Sequence, residues 1–422
     1  MSAERTTGAK AGLAALVPRG GLVKAAYTIG THRTVAPDVT VERWSPHLAE
    51  FGITRLAELT GLDVIGLPVV QAVRPNGRSL SVAQGKGVSL AAARASALME
   101  GAELWHAEHH RLPLRRASWR DLARDSRVLD IGRIPRRTAV GIDRDKQLSW
   151  ARGLELFSGD PVWVPEQLVS MDFTSWSGPA TEGLVLSSNG LASGNHVVEA
   201  AAHALFELIE RDAFALVVAR NRFPDAWRRI DPATIDDDAV RVVLDRCAAA
   251  EVFVALMDIT SDIGIPAVSC VLFDHPPKEF RRLPTSVGHG CHVDRSVAVS
   301  RALTEAIQSR LTVIAGSRDD MKADDYGAKR WSNDAAAWRA QLVDQRTPHR
   351  FDDLPRLSFS SIDHELDFAL QRLAAVGLDE AVLVDLTIDS IGLPVTRVLV
   401  PGLEHWEAGL THGARIAGVL RG

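Results

Sequence analysis

Apolar positions along the chain recur in two rhythms. A period near 3.6 runs through 89–108, 199–212 and 294–315 and predicts three long helices, with further helices at 41–59, from the acidic run 231–238 to about 250, at 335–344 and at 361–376. Short apolar runs closed by Gly or Pro predict strands at 67–73 and 78–84, 252–259 and 266–274, and 380–387 and 394–402; the first pair flanks Pro75-Asn76-Gly77, a hairpin turn signal. Residues 1–36, rich in Gly, Ala, Lys and Thr, predict a flexible arm. A helical lead-in over 37–64, a main unit over 65–404 and a tail over 405–422 follow.

Two echoes divide the main unit. IGLPVVQAV (65–73), IGIPAVSCV (263–271) and IGLPVTRVL (391–399) repeat a turn that feeds an apolar strand. ALMEGAE (97–103), ALFELIE (204–210) and ALTEAIQ (302–308) repeat a helical Ala-Leu-x-Glu with Glu, Glu or Gln three residues on. The expectation is an α/β fold of internally related strand-and-helix units whose long helices gather around one site. Coincidental helix similarity in a plain α/β fold is the alternative.

Charge and cysteine content narrow the setting. With 48 basic and 53 acidic residues, net charge −5 and 46% hydrophobic content, the chain is globular and carries no global signal for nucleic acid or a lipid surface. Three cysteines without a CxxC pair point to a reducing, cytoplasmic setting and away from structural zinc. No uncharged apolar run reaches the length of a membrane span.

The chemistry lies in the echo helices. Ser96, Glu100 and Glu103 share one helical face, and Glu207 and Glu210 another, with Asn195 and Glu199 joining it if the helix reaches back that far. If the two faces meet, four carboxylates converge and need a cation; oxygen donors alone favour a hard ion, and without an EF-hand loop Mg²⁺ is preferred, an ion that in such a setting serves phosphates. Arg211, Arg310 and Lys86 are the candidate phosphate donors. Each has a plainer reading: a turn lysine, an Arg211–Asp212 pair, a solvent-facing Arg310. Walker A, GxGxxG and GxSxG patterns are absent. GHGCH (288–292) lacks the second tight pair a zinc site needs, so its glycines are read as bringing backbone close to a ligand.

QGKGVSLAAARASALMEGAE (84–103), SSNGLASGNHVVEAAAHALFELIERDA (187–213), GHGCHVDRSVAVSRALTEAIQSR (288–310) and VPGLE (400–404) resemble the YcaO-domain family over roughly 65–404. The resemblance implies a YcaO-like α/β fold with a glutamate-lined ATP cleft. It also implies use of Mg-ATP to activate a peptide backbone amide, giving azolines, thioamides or amidines. Carried over by residue, it makes Glu100, Glu103, Glu207 and Glu210 the Mg²⁺ ligands, Asn195, Glu199 and Arg211 ATP contacts, Arg310 a phosphate-side arginine and Ser96 the serine before the first glutamate pair. Glu100, Glu207 and Arg211 are then the residues nearest the chemistry, and Lys86 remains a phosphate candidate.

Azoline-forming members often end in a proline-rich tail, whereas THGARIAGVLRG (411–422) has none, and the N-terminal region is too short for a fused leader-binding domain. IGTHRTVAPDVT (29–40) and the stand-alone size resemble members paired with a TfuA-type partner, for which thioamide formation is implied. The expected partners are a peptide or protein substrate and a TfuA-like or leader-binding protein; a homodimer is left open. The alternatives are a cyclodehydratase acting on Cys, Ser or Thr, and a non-catalytic peptide-binding scaffold.

Overall fold

The structure is a computed structural model, and it describes residues 5–17, 22–137, 143–174, 183–220, 228–278, 283–321, 326, 333–346, 349–407 and 409–421. Among the described residues, three antiparallel sheets carry the fold. The first comprises β1 (Arg55–Glu58), β2 (Val69–Val73) and β3 (Val82–Lys86). The largest joins β4 (Arg115–Ser118), β5 (Gln147–Glu155), β6 (Pro161–Pro165) and β7 (Leu191–Ser193) to the late strands β12 (Val382–Asp385) and β13 (Val395–Leu399). The third orders β11 (Ser286–Cys291), β10 (Ala267–Asp274), β9 (Val252–Asp258) and β8 (Arg228–Ile230). Among the described residues ten α-helices complete it: α1 (Arg5–Leu16), α2 (Pro37–Trp44), α3 (Leu90–Glu108), α4 (Trp119–Leu122), α5 (Val197–Ala219), α6 (Asp238–Ala249), α7 (Arg295–Ala315), α8 (Asn333–Asp344), α9 (Ile362–Ala375) and α10 (Ala414–Arg421).

The two echoes are one structural repeat. In each unit the strand after the Ile-Gly-Leu/Ile-Pro turn pairs antiparallel with a second strand that leads into a long helix: β2 with β3 and α3, β10 with β11 and α7, β13 with β7 and α5. The turn glycines Gly66, Gly264 and Gly392 all have φ between +68° and +76°, the left-handed region open to glycine. One hydrogen bond recurs in every unit: the N–H of Gly87, His292 or Gly194 donates to the carbonyl of Pro68, Pro266 or Pro394, at 3.3, 3.1 and 3.1 Å. In the third unit the two halves come in reversed chain order, because β7 and α5 precede β13.

Close packing follows from small residues. A Cβ on Gly85 would lie 1.9 Å from the backbone nitrogen of Ala97, and one on Gly288 2.1 Å from that of Ala306, so each strand touches its own helix backbone. Each repeat helix also anchors its own core cluster, Leu98 in one, Leu205 and Phe206 in another, Leu303 in the third. The units then interlock in a ring, with α3 against β7, α5 against β11 and α7 against β3. This ring turns the three glutamate-bearing faces toward one axis.

Two expectations need correction. The helix expected over 41–59 ends at Trp44: a single 3₁₀ turn follows, with Pro46 in it, Gly52 takes φ +67°, and the chain continues as β1, the third strand of the first sheet. The flexible arm contains α1, which packs on α9, and a segment tied to the body by Val23, whose N–H donates to Asp363 Oδ1 at 2.8 Å. The tail folds into α10, whose first turn is capped by the Glu404 carboxylate accepting from Gly413, Arg415 and Ile416 at 2.9–3.1 Å.

Candidate active site

Residues 92–104 of α3, 199–211 of α5 and 300–312 of α7 line one cleft of about 520 Å³. At 1.5 Å per residue each helix contributes about 18 Å of wall. Glu100, Glu103, Glu207, Glu210, Ser96, Lys86, Asn195, Glu199 and Arg211 all face it.

Arg310 does not. Two residues beyond Gln308, it turns about 200° away around α7 and is buried between Asp63 and Asp274, with Nε and Nη2 donating to them at 2.9 Å each. It ties α7 to the chain before β2 and to the end of β10 and touches no part of the cleft. Asn195 also departs from expectation, because α5 begins only at Val197, with His196 as its cap. Asn195 lies in the approach to the helix, its Nδ2 donating to Thr40 Oγ1 at 2.9 Å and its Oδ1 accepting from Trp44 Nε1 at 3.2 Å.

The carboxylates repel one another. Burial, opposed by Lys86 and Arg318 and reinforced by Glu207, pushes Glu100 up to about 7. Glu103 is pushed up to about 8, again by burial first, although its Oε1 accepts from Ser193 N–H and hydroxyl at 2.9 and 2.7 Å. Glu207 and Glu210 are raised for the same leading reason. Glu210 Oε2 is buried and makes no hydrogen bond. A set of carboxylate oxygens that cannot ionise together, one of them buried and unpartnered, fits a hard divalent cation such as Mg²⁺.

The third repeat supplies the counterpart. Glu305, first glutamate of the third echo, was legible in the repeat yet not singled out there as a site residue. Its Oε2 accepts from Lys86 Nζ at 2.8 Å, and burial is outweighed by Lys86, Arg211 and His289, which hold it ionised. Sequence reasoning also missed Arg33 and Thr34, which sit outside any repeated glutamate pattern, and Arg301, which precedes the third Ala-Leu-x-Glu as Ser96 precedes the first. Glu199 Oε2 accepts from the Thr34 N–H and hydroxyl at 2.8 and 2.6 Å, so residues after Tyr27 close one end of the cleft. Arg301 Nη1 donates to Nδ1 of a neutral His203 at 2.9 Å. Arg211 stands 4.0 Å from Glu210, while Asp212 is held by Arg415 of α10.

His32, His292 and Glu365 form a second cluster with metal-like spacing. Nδ1 of His292 accepts the Asp294 N–H at 3.0 Å, so the neutral ring carries its proton on Nε2, which faces Glu365 at 3.6 Å and cannot also ligate a metal. With His32 Nδ1 2.6 Å from Glu365 Oε1, the cluster is a hydrogen-bonded tie between the N-terminal segment and α9. The three cysteines are free, buried thiols. Among the described residues no helix is long and apolar enough to cross a membrane.

Comparison with known proteins gives the family. Residues 84–404 match the YcaO cyclodehydratase family, described as ATP- and Mg²⁺-binding. The chain belongs to the YcaO family. A protein of Rhizobium leguminosarum bv. trifolii, known as the uncharacterized protein in the tfuA 3′ region, is 37% identical over 92% of this chain and 93% of its own. Among solved structures, the YcaO protein of Methanopyrus kandleri bound with AMPPCP and Mg²⁺ superposes with a TM-score of 0.72 at 22% identity, over 90% of this chain and 95% of that one. A heterocyclase in complex with substrate and cofactor gives 0.76 at 20%, over 91% and 54%. At these identities the two structures establish the shared α/β YcaO fold.

The raised carboxyls make a pH prediction. Groups whose folded pKa exceeds the ordinary 4.5 stabilise the fold below that pH and lose the contribution as pH rises through 7 and 8 for Glu100 and Glu103. The metal-free YcaO protein is expected to melt at progressively lower temperature from pH 5 to pH 8.5, and millimolar Mg²⁺ is expected to restore the loss at the alkaline end. Calorimetric scans with and without Mg²⁺ check this; a melting temperature that rises with pH in the metal-free protein would contradict the clustered carboxyls.

Proposed function

We propose that this YcaO protein uses Mg-ATP to activate a backbone amide of a ribosomally made peptide or of a protein, and exchanges the amide oxygen for sulfur to give a thioamide. The observation that carries the reading is the meeting of the α3 and α5 glutamate pairs in one cleft, with Glu210 Oε2 buried there and unpartnered. Glu100, Glu103, Glu207 and Glu210 would hold the Mg²⁺. Bound there, the ion would offset charge on the phosphates as the γ-phosphoryl group transfers.

The chain's own residues do the rest. Arg211 and Lys86 face the phosphates as fixed cations, Lys86 steadied by Glu305. Ser193 orients Glu103, and Thr34 holds Glu199 at the far end of the cleft. In the reaction the amide oxygen bonds to the γ-phosphorus as the bond to ADP breaks. Hydrosulfide adds to the amide carbon, and phosphate departs with the former amide oxygen and the sulfur-borne proton, leaving C=S. No side chain is needed as a covalent nucleophile.

A TfuA-like protein is the proposed partner. Support comes from the relative beside tfuA, which this chain matches across nearly all of both lengths. The second reading, azoline formation from Cys, Ser or Thr, is favoured by the family's cyclodehydratase description and by the likeness to a heterocyclase. One experiment separates them: incubation with a TfuA-like protein from the same genome, Mg-ATP, sulfide and candidate precursor peptides, followed by mass analysis. Replacement of one oxygen by sulfur supports the thioamide; loss of one water without sulfur overturns it in favour of the azoline. Nucleotide turnover that no peptide alters would sink both.

A further inference from the structure

Glu365 lies outside the cleft, yet it holds a segment that lines it. It stands in the first turn of α9, a helix fixed by Leu366, Leu370 and Leu373 in the same core cluster as Leu205 and Phe206 of α5. That turn grips the N-terminal segment twice. At the first point Val23 donates its N–H to Asp363 Oδ1 and accepts the Ile362 N–H on its carbonyl, both at 2.8 Å. At the second, His32 donates from Nδ1 to Glu365 Oε1 at 2.6 Å, and Glu365 is buried.

His32 is held from its other sides as well. Its ring meets that of His292 edge-on, with centroids 4.7 Å apart, and its Nε2 lies 3.8 Å from Oδ2 of Asp294, the cap of α7. His292 turns Nε2 to the second oxygen of Glu365 at 3.6 Å and packs against Phe206, the residue before Glu207. A buried carboxylate and a neutral imidazole thus fix the orientation of one ring.

The fixed ring orients its neighbour. Tyr27 and Arg33 bond each other's backbone in both directions, at 3.0 and 2.9 Å, and close residues 28–32 into a loop. Thr31 and Arg33 belong to the lining of the cleft and His32 between them does not. Where successive side chains leave the backbone on opposite sides, turning His32 onto α9 turns Arg33 into the cleft. Arg33 stands 3.8 Å from Glu199, and its guanidinium makes no hydrogen bond among the described residues, so its donors remain available to an anion.

Resting on the proposed Mg-ATP chemistry, we propose that Glu365 is a positioning residue for nucleotide binding: through His32 it fixes residues 27–34 before the nucleotide arrives, so that Arg33 meets it already in place. The gain is preorganisation. Without the His32 bond the nucleotide itself would have to order this loop, and its affinity would fall by that cost.

Calorimetric titration of the full chain with Mg²⁺ and a non-hydrolysable ATP analogue tests this. Glu365→Ala and His32→Ala are each expected to weaken the analogue by about tenfold or more, the scale for losing a partner that orients a binding group. Mg²⁺ titrated alone is expected to bind both variants as it binds the wild type, whereas general damage to the cleft would lower both affinities together. His32→Asn, whose amide nitrogen can stand where Nδ1 stands, is expected to stay within about twofold of wild type. Arg33→Ala is expected to weaken the analogue, and adding Glu365→Ala to it is expected to weaken it no further, because the two act as one unit. If Glu365→Ala does not fold, His32→Ala carries the same comparisons, including the one with Arg33→Ala. Wild-type affinity in the alanine variants, a loss shared by Mg²⁺ alone, an equal loss in His32→Asn, or additive losses with Arg33→Ala overturns the inference. Failure of the wild-type chain to bind the analogue is a separate result that strikes the proposed function, and this inference with it.

Discussion

Glu207→Gln is expected to fold normally and to lose ATP-dependent peptide modification by about 10²–10³-fold, the scale seen when one fixed electrostatic partner of a transition state is removed. The substitution keeps size and hydrogen-bonding capacity while deleting one negative charge from a face shared with Glu100, Glu103 and Glu210. Its Mg²⁺ affinity, read by titration calorimetry, should fall as well. In the absence of metal the variant should melt higher than wild type near pH 8, since one repelling carboxylate has gone. Wild-type rates of peptide modification from a folded Glu207→Gln protein would remove this residue from the chemistry.

Arg310→Ala is expected to act on the fold. It deletes a buried cation held by Asp63 and Asp274, and breaking one partner of such an arrangement costs about 3–5 kcal/mol. Denaturant titration should show that loss, whereas the fraction that remains folded should bind Mg-nucleotide with unchanged affinity. Arg211→Ala should behave differently, with weakened nucleotide binding and a smaller loss of stability, because Arg211 lines the cleft beside Glu210 and makes no close ion pair there. Weaker nucleotide affinity at Arg310 with stability intact would show that the ion pairs do not define its role.

Much of the site was legible because its residues repeat. Ala-Leu-x-Glu on a helix places both glutamates of a pair on one face, and the Ile-Gly-Leu/Ile-Pro turn marks a strand start wherever it occurs. Glu305 was readable by the same logic, as the third copy of the first glutamate. Arg310 leaves the cleft because two residues along a helix point to nearly opposite sides, so standing two positions after Gln308 does not place it beside Gln308. The helix expected over 41–59 failed for another reason: apolar spacing alone does not tell a short helix followed by an edge strand from one long helix.

The sequence by itself determined the three glutamate-bearing helices, the strands that follow the repeated turns and the need of clustered carboxylates for a cation, because periodicity and charge are properties of neighbours along a chain. Only the tertiary structure decided that α5 and the later strand β13 make one unit, that the three units close into a ring, that Arg33 and Arg301 join the cleft with Thr34 bonded to Glu199, and that Arg310 leaves it. Those outcomes depend on strand pairing and packing between segments far apart in the chain, where no local pattern records which face meets which.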